Sequence, residues 1–190
     1  MTRFQSHVER WKDCRACGLC ERRTRVVIAR GMVPCDVLFV GEGPGRSEDV
    51  LGKPFCAPAG HLLDKIIERA LPAGVTFALA NLVCCLPVDD DGDKMGEPPP
   101  ESIEACAERL NEFVEICGPR LIVCVGELAK SWIFPSKKGQ KGILKGYDGA
   151  MAAITHPAAI LRANVAQRSL LVQRCVVALA NAVGSLNTNL

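Results

Sequence analysis

The chain has 190 residues, is 48% hydrophobic and carries a formal net charge of +2. That length and composition describe one soluble globular domain, residues 1–190, and exclude a disordered or membrane class. A charge so near zero neither demands nor forbids nucleic acid, so where the basic residues cluster matters more than their sum. No apolar run reads as long enough to span a bilayer, and the first residues lack the apolar core of a signal peptide.

Eleven cysteines in such a chain argue against a disulfide framework and toward metal ligation plus some buried thiols. Cys35, Cys56, Cys117, Cys124 and Cys175 sit among apolar residues and read as core packing.

In chain order, the first twelve residues suggest a short amphipathic helix. Cys14-Arg-Ala-Cys17-Gly-Leu-Cys20 follows, then a basic run into Val26-Val27-Ile28, an edge-strand candidate. Asp36-Val-Leu-Phe-Val-Gly41-Glu42-Gly43-Pro44-Gly45 has the apolar continuity of a buried parallel strand and ends in a glycine turn holding one carboxylate. In open α/β sheets ligands bind beyond the carboxyl ends of strands, so this turn is either a ligand rim or a plain corner. Gly52-Lys-Pro-Phe55 reads as a loop, and Leu62, Leu63, Ile66, Ile67 and Ala70 have helical spacing.

Val75–Val83 reads as a second buried strand, ending at Cys84-Cys85-Leu86-Pro87. Residues 88–100 form an acidic Pro/Gly loop, and Pro100-Glu101 opens a helix that Gly118-Pro119 stops. Leu121–Gly126 is a third strand feeding a helix from Glu127. Residues 137–149 are a basic, glycine-rich loop, Ala150–Thr155 a fourth strand ending at His156-Pro157, and Gln167–Val183 a last apolar helix. Alternating strands and helices predict an α/β fold, a three-layer α/β/α sandwich with a central, mostly parallel four-stranded sheet.

Cys14 and Cys17 have the spacing of a metal-binding pair. Cys85 and Cys106 are candidates for the remaining ligands, with Cys20 and Cys84 competing. Four thiolates suit zinc or an iron–sulfur cluster, and the residues alone do not separate these.

Together these pieces resemble one family, the iron–sulfur (family 4) uracil-DNA glycosylases. The resemblance rests on Cys14-x-x-Cys17, the 37–45 block with Glu48-Asp49 behind it, Gly52-Lys-Pro-Phe55 and Ala59-Gly60-His-Leu-Leu63. It continues through Ala80-Asn-Leu-Val-Cys-Cys85-Leu-Pro87, Pro100-Glu101 to Cys106, Pro119 to Gly126, and His156-Pro-Ala-Ala-Ile-Leu-Arg162. In order, these segments cover residues 14 to 162.

The resemblance implies a 4Fe–4S cluster on Cys14, Cys17, Cys85 and Cys106, structural rather than redox-catalytic. It implies Phe55 stacking on a flipped uracil, Asn81 reading the base edge, and backbone contacts at Gly41–Gly43. His156 would donate to uracil O2 while Glu42 orients the attacking water. Ile160 or Leu161 would wedge the DNA stack and Arg162 hold a phosphate, with Arg22–Arg25 and Lys137–Lys145 as further phosphate contacts. The expected partner is uracil-containing DNA, single- or double-stranded, met by a monomer in the cytoplasm, at the nucleoid, with no membrane.

Departures from the family pattern accompany the match. Leu86 stands where arginine is usual, Cys84 where lysine is common, and Cys56 where valine is usual. The Lys145–His156 segment is short, and Asp89-Asp90-Asp91 would repel phosphate. The alternative is a family member that recognises uracil or abasic sites without turnover, or by a covalent adduct. A thioredoxin-like redox role for Cys14/Cys17 fits poorly, because the pair lacks a βα context.

Overall fold

The computed structural model describes residues 1–88, 96–134 and 142–187. The acidic run Asp89–Asp91 and the basic residues Lys137, Lys138 and Lys141 lie outside them.

Four parallel strands form the frame: β2 (Val37–Gly41), β3 (Phe77–Asn81), β4 (Leu121–Val125) and β5 (Ala150–Ile154). A fifth, β1 (Ala29–Gly31), pairs antiparallel with β3, giving the order β1-β3-β2-β4-β5. The sheet thus has five strands rather than four, and the edge strand lies just beyond the apolar run at 26–28. Val27 and Ile28 are buried residues leading into it.

β2 sits between β3 and β4, so the chain winds to one side of β2 and then to the other. That reversal opens a crevice at the strand ends, where ligands bind in such sheets. Register aligns these ends, with Gly41 opposite Asn81 and Val125 opposite Ile154.

Alternation along each strand divides the core in two. Leu38, Val40, Ala78, Ala80, Ile122 and Cys124 face α4 (Pro100–Cys117) and α5 (Glu127–Ile133). Val37, Phe39, Leu79, Leu121, Val123 and Val125 face the other layer. It is built from α3 (Pro58–Ala70), α6 (Pro157–Arg162) and α7 (Val165–Asn187). α1 (Arg3–Trp11) lies on α4, started by a reciprocal Thr2–Gln5 capping box. The remaining helix, α2 (Arg46–Leu51), directly follows the glycine turn.

Two sequence expectations change. Cys56 is half-buried rather than a core thiol. Residues 165–186, within α7, are long and apolar enough by length and composition to cross a membrane. In the fold this helix packs Cys175, Leu179 and Val183 into the core and leaves Val165, Leu170 and Val177 exposed.

Candidate active site and cysteine chamber

At the strand ends lies a cavity of about 730 Å³ lined by residues including Glu42, Gly43, Glu48, Phe55, His156 and Arg162. Asn81 and Gly41 are not among the residues that line it. A methyl group on Gly41 would stand 2.5 Å from the Phe55 ring and 2.6 Å from Asn81 Oδ1, so the missing side chain leaves room for both against β2. Gly126, at φ +103°, serves the other wall. A Cβ there would stand 2.9 Å from Glu42 Oε1 and 3.2 Å from His156. The sequence marks Gly126 only as a strand end, but it is the spacer that lets Glu42 and His156 approach each other.

Phe55 is held in a strained conformation, φ +54°, which non-glycine residues rarely adopt outside functional sites. Its carbonyl accepts from Arg30 Nη2 at 3.1 Å, while Arg30 Nε donates to Pro54 O at 2.9 Å and Nη2 pairs with Asp64 at 2.6 Å. Gly60 removes a Cβ that would collide with the same Phe55 carbonyl. Glu48, buried at the start of α2, accepts from the Gly45 amide at 3.2 Å. Burial raises its pKa, and the amides of Gly45, Phe55 and Cys56 act against that rise. Neither Arg30 nor Glu48 was singled out by the sequence as a support of the ring.

Asn81 is only 1% exposed and its Nδ2 has no hydrogen-bond partner. A buried donor left unpaired costs on the order of 1–3 kcal/mol, so such groups mark strain or a ligand. His156 is better defined. The Ala158 amide donates to its Nδ1 at 3.2 Å, which places the proton of the neutral ring on Nε2. Burial, and then the Arg162 charge, lowers its pKa and keeps it neutral near pH 7. Glu42 moves the other way. Burial raises its pKa, Glu97 adds to the rise, and Arg162 opposes it.

Along α6, Ile160 is wholly buried in the core while Leu161 is half-buried and Arg162 exposed. Ile160 is therefore a packing residue in this conformation, and Leu161 is the apolar side chain nearer the surface. Arg168 holds the end of that helix through the carbonyls of Leu161 and Ala163, at 2.5 and 2.8 Å.

A second chamber collects Cys14, Cys17, Cys20, Cys84, Cys85 and Cys106, with Arg23 and Arg109 on its wall. The four cysteines chosen from the sequence line this one pocket, and so do their two competitors. Arg23 Nη1 donates to Cys85 Sγ at 3.4 Å. Arg23 therefore faces inward, unlike a phosphate contact, and Arg25 Nε is engaged with the Val50 carbonyl at 3.0 Å. Burial pushes the Cys84 thiol up to about 12 and the Cys85 thiol to about 11. Both stay protonated at neutral pH unless a metal replaces the proton.

Residues 30–180 match the uracil DNA glycosylase superfamily, which sets the class of protein for this sheet and its strand-end cavity. Among curated relatives, a type-4 uracil-DNA glycosylase of Thermotoga maritima is 37% identical over 130 residues, 68% of this chain and 65% of the relative. That match thus spans just under two thirds of the relative's length. One from Archaeoglobus fulgidus is 32% identical over 161 residues, 78% of each chain. One from Pyrobaculum aerophilum is 33% identical over 164 residues, 80% of this chain and 81% of the relative. The chain therefore belongs to the uracil DNA glycosylase superfamily, in its type-4 branch.

Proposed function

We propose that this protein is a monofunctional uracil-DNA glycosylase, hydrolysing the N-glycosidic bond of a flipped deoxyuridine and leaving an abasic site. Asn81 carries the reading: a buried carboxamide beside a strained aromatic ring, with a free donor. An enzyme of this kind must take the base out of the stack and read it in a pocket. Phe55 stacks on the pyrimidine, a contact worth about 1–3 kcal/mol. Asn81 Nδ2 donates to uracil O4, and Oδ1 accepts from N3–H. Cytosine presents the opposite pattern at both positions, and leaving both pairs unmade in a dry site rejects it.

As the bond breaks, negative charge builds on uracil O2. His156 Nε2–H, fixed by the Ala158 amide on the opposite nitrogen, donates there from a neutral ring. Glu42 orients the attacking water, and its carboxylate favours the cationic sugar. Leu161 fills the vacated stack and Arg162 holds a phosphate.

Cys14, Cys17, Cys85 and Cys106 would hold a 4Fe–4S cluster. The donor set suits that group: it is thiol-rich, and two guanidiniums complement an anionic centre, around a free space of about 10 Å³. Among the described residues no group of three His, Cys, Asp or Glu is arranged to hold a single metal ion. In a cubane each thiolate takes a different iron, so four ligands need not converge on one point. Bound there, the cluster would cross-link the N-terminal segment to the β3 end and α4, with no part in bond cleavage.

The test is uracil release from single-stranded and U:G duplex DNA by anaerobically purified protein, beside Asn81→Ala. Wild type releases free uracil over many turnovers, and N81A loses most of that activity. Stoichiometric binding or a covalent adduct without turnover would favour the non-catalytic alternative and end this reading.

A further inference from the structure

Arg109 is the largest wholly buried side chain, 1% exposed. It lies one helical turn beyond Cys106 on the same buried face of α4, as i and i+3 residues do. Its Nη2 donates to two backbone carbonyls at the end of β3, Asn81 O at 2.6 Å and Leu82 O at 2.9 Å. Its Nε and Nη1 have no partner.

Among the described residues no carboxylate pairs with Arg109. Glu112, the next acid along α4, is engaged by Arg10 at 3.1 Å and by Trp11 Nε1 at 2.7 Å. A buried guanidinium without a counter-charge is strongly unfavourable. Yet this one lines the chamber of six cysteines. Four thiolates around an iron–sulfur cube leave a net negative charge, which is the complement this cation lacks.

We propose that Arg109 is the buried counter-charge of the cluster and, through the same guanidinium, the positioning residue for Asn81. One nitrogen fixes the main chain that carries the base-reading carboxamide, and the others are free on the wall of the cysteine pocket. The cluster site and the base pocket are then joined by a single side chain. This rests on the cluster and Asn81 roles proposed above.

The experiment compares wild type with Arg109→Met and Arg109→Lys in cluster-loaded protein. The readouts are iron per chain, the cluster reduction potential, and KM against kcat for uracil release. Removing a positive charge beside a centre that gains an electron makes reduction harder. R109M therefore shifts the potential to more negative values and bleaches faster under chelator. Losing charge-assisted bonds of about 1.5–3 kcal/mol to the Asn81 strand end raises KM by about tenfold or more, with a smaller change in kcat. R109K keeps the charge but not the planar fork, so its potential stays near wild type while KM still rises.

An R109M protein with full iron, an unmoved potential and unchanged KM overturns the inference. If R109M does not fold, R109K decides: a lysine variant whose potential moves, or whose KM does not, overturns it. Wild-type protein that releases uracil without binding iron would instead overturn the cluster assignment, before Arg109 is tested at all.

Discussion

The strand-end pocket and the cysteine chamber are built on opposite principles. In the pocket, most polar groups are already committed. His156 Nδ1 is taken by Ala158, Glu48 by the Gly45 amide, and Phe55 O by Arg30. Still without a partner are the Asn81 donor and, by tautomer, His156 Nε2–H, the groups that the proposed function assigns to the base. The chamber instead holds protonated thiols and a cation with unmade bonds. The first is preorganised by protein alone; the second, on the reading proposed above, is completed by a cofactor. Catalytic electrostatics should therefore fail by loss of rate at the pocket, and by loss of structure at the chamber.

The sharpest way to break this contrast is His156→Ala. Removing one preorganised donor of this type costs about 10²–10³ in kcat. Because His156 belongs to the finished pocket, the visible spectrum and thermal midpoint should stay near wild type. A spectrum that changes with H156A would show that the two regions are not separable at this residue.

Cys106→Ser is the converse. It should lose iron and the visible absorbance, and lower the midpoint. If binding contributes about 2–4 kcal/mol, a chain of this size loses about 4–16 °C. Uracil release should fall in step with the folded fraction and not independently of it. A C106S protein with full iron would return Cys20 or Cys84 to the ligand set.

How far the sequence foretold each region follows from what kind of interaction makes it. Glu42, Asn81 and His156 could be placed at strand ends because apolar runs and glycine turns are local signals. Five-stranded topology was harder. β1 is three residues long and is defined by pairing to β3 across the sheet, not by its own apolar pattern. With it went the role of Arg30, which reads as one more surface cation until the edge strand brings it against Phe55 O and Asp64. Arg109 was invisible for the same reason. A helical arginine is ordinarily solvated, and only the packing of α4 on the β3 end buries this one. Ile160 and Leu161 were indistinguishable as neighbours in sequence, and helix α6 separates them by turning the former inward.

The smallest expected effect is the most diagnostic of the pocket's electrostatics. In the proposed mechanism Glu42 acts as a carboxylate, and burial, with Glu97 adding to it, raises its pKa. The acid limb of kcat should therefore lie above the ordinary glutamate value of about 4.3. In the same proposal His156 works as a neutral donor, and its pKa is lowered, so it stays competent through neutral and alkaline pH and adds no basic limb. Arg162 opposes the rise at Glu42 and contributes to the fall at His156. Arg162→Gln should then move the Glu42 limb to higher pH while letting the His156 pKa rise toward its usual value. Both changes narrow the active range from the acid side. The shift is modest, because Arg162 is exposed and solvent screens it. Measured at saturating DNA, an acid limb at the ordinary carboxylate value, or one unmoved by R162Q, would mean that Glu42 does not titrate in the step that limits turnover. The carboxylate would then be part of the wall and not the group that handles water.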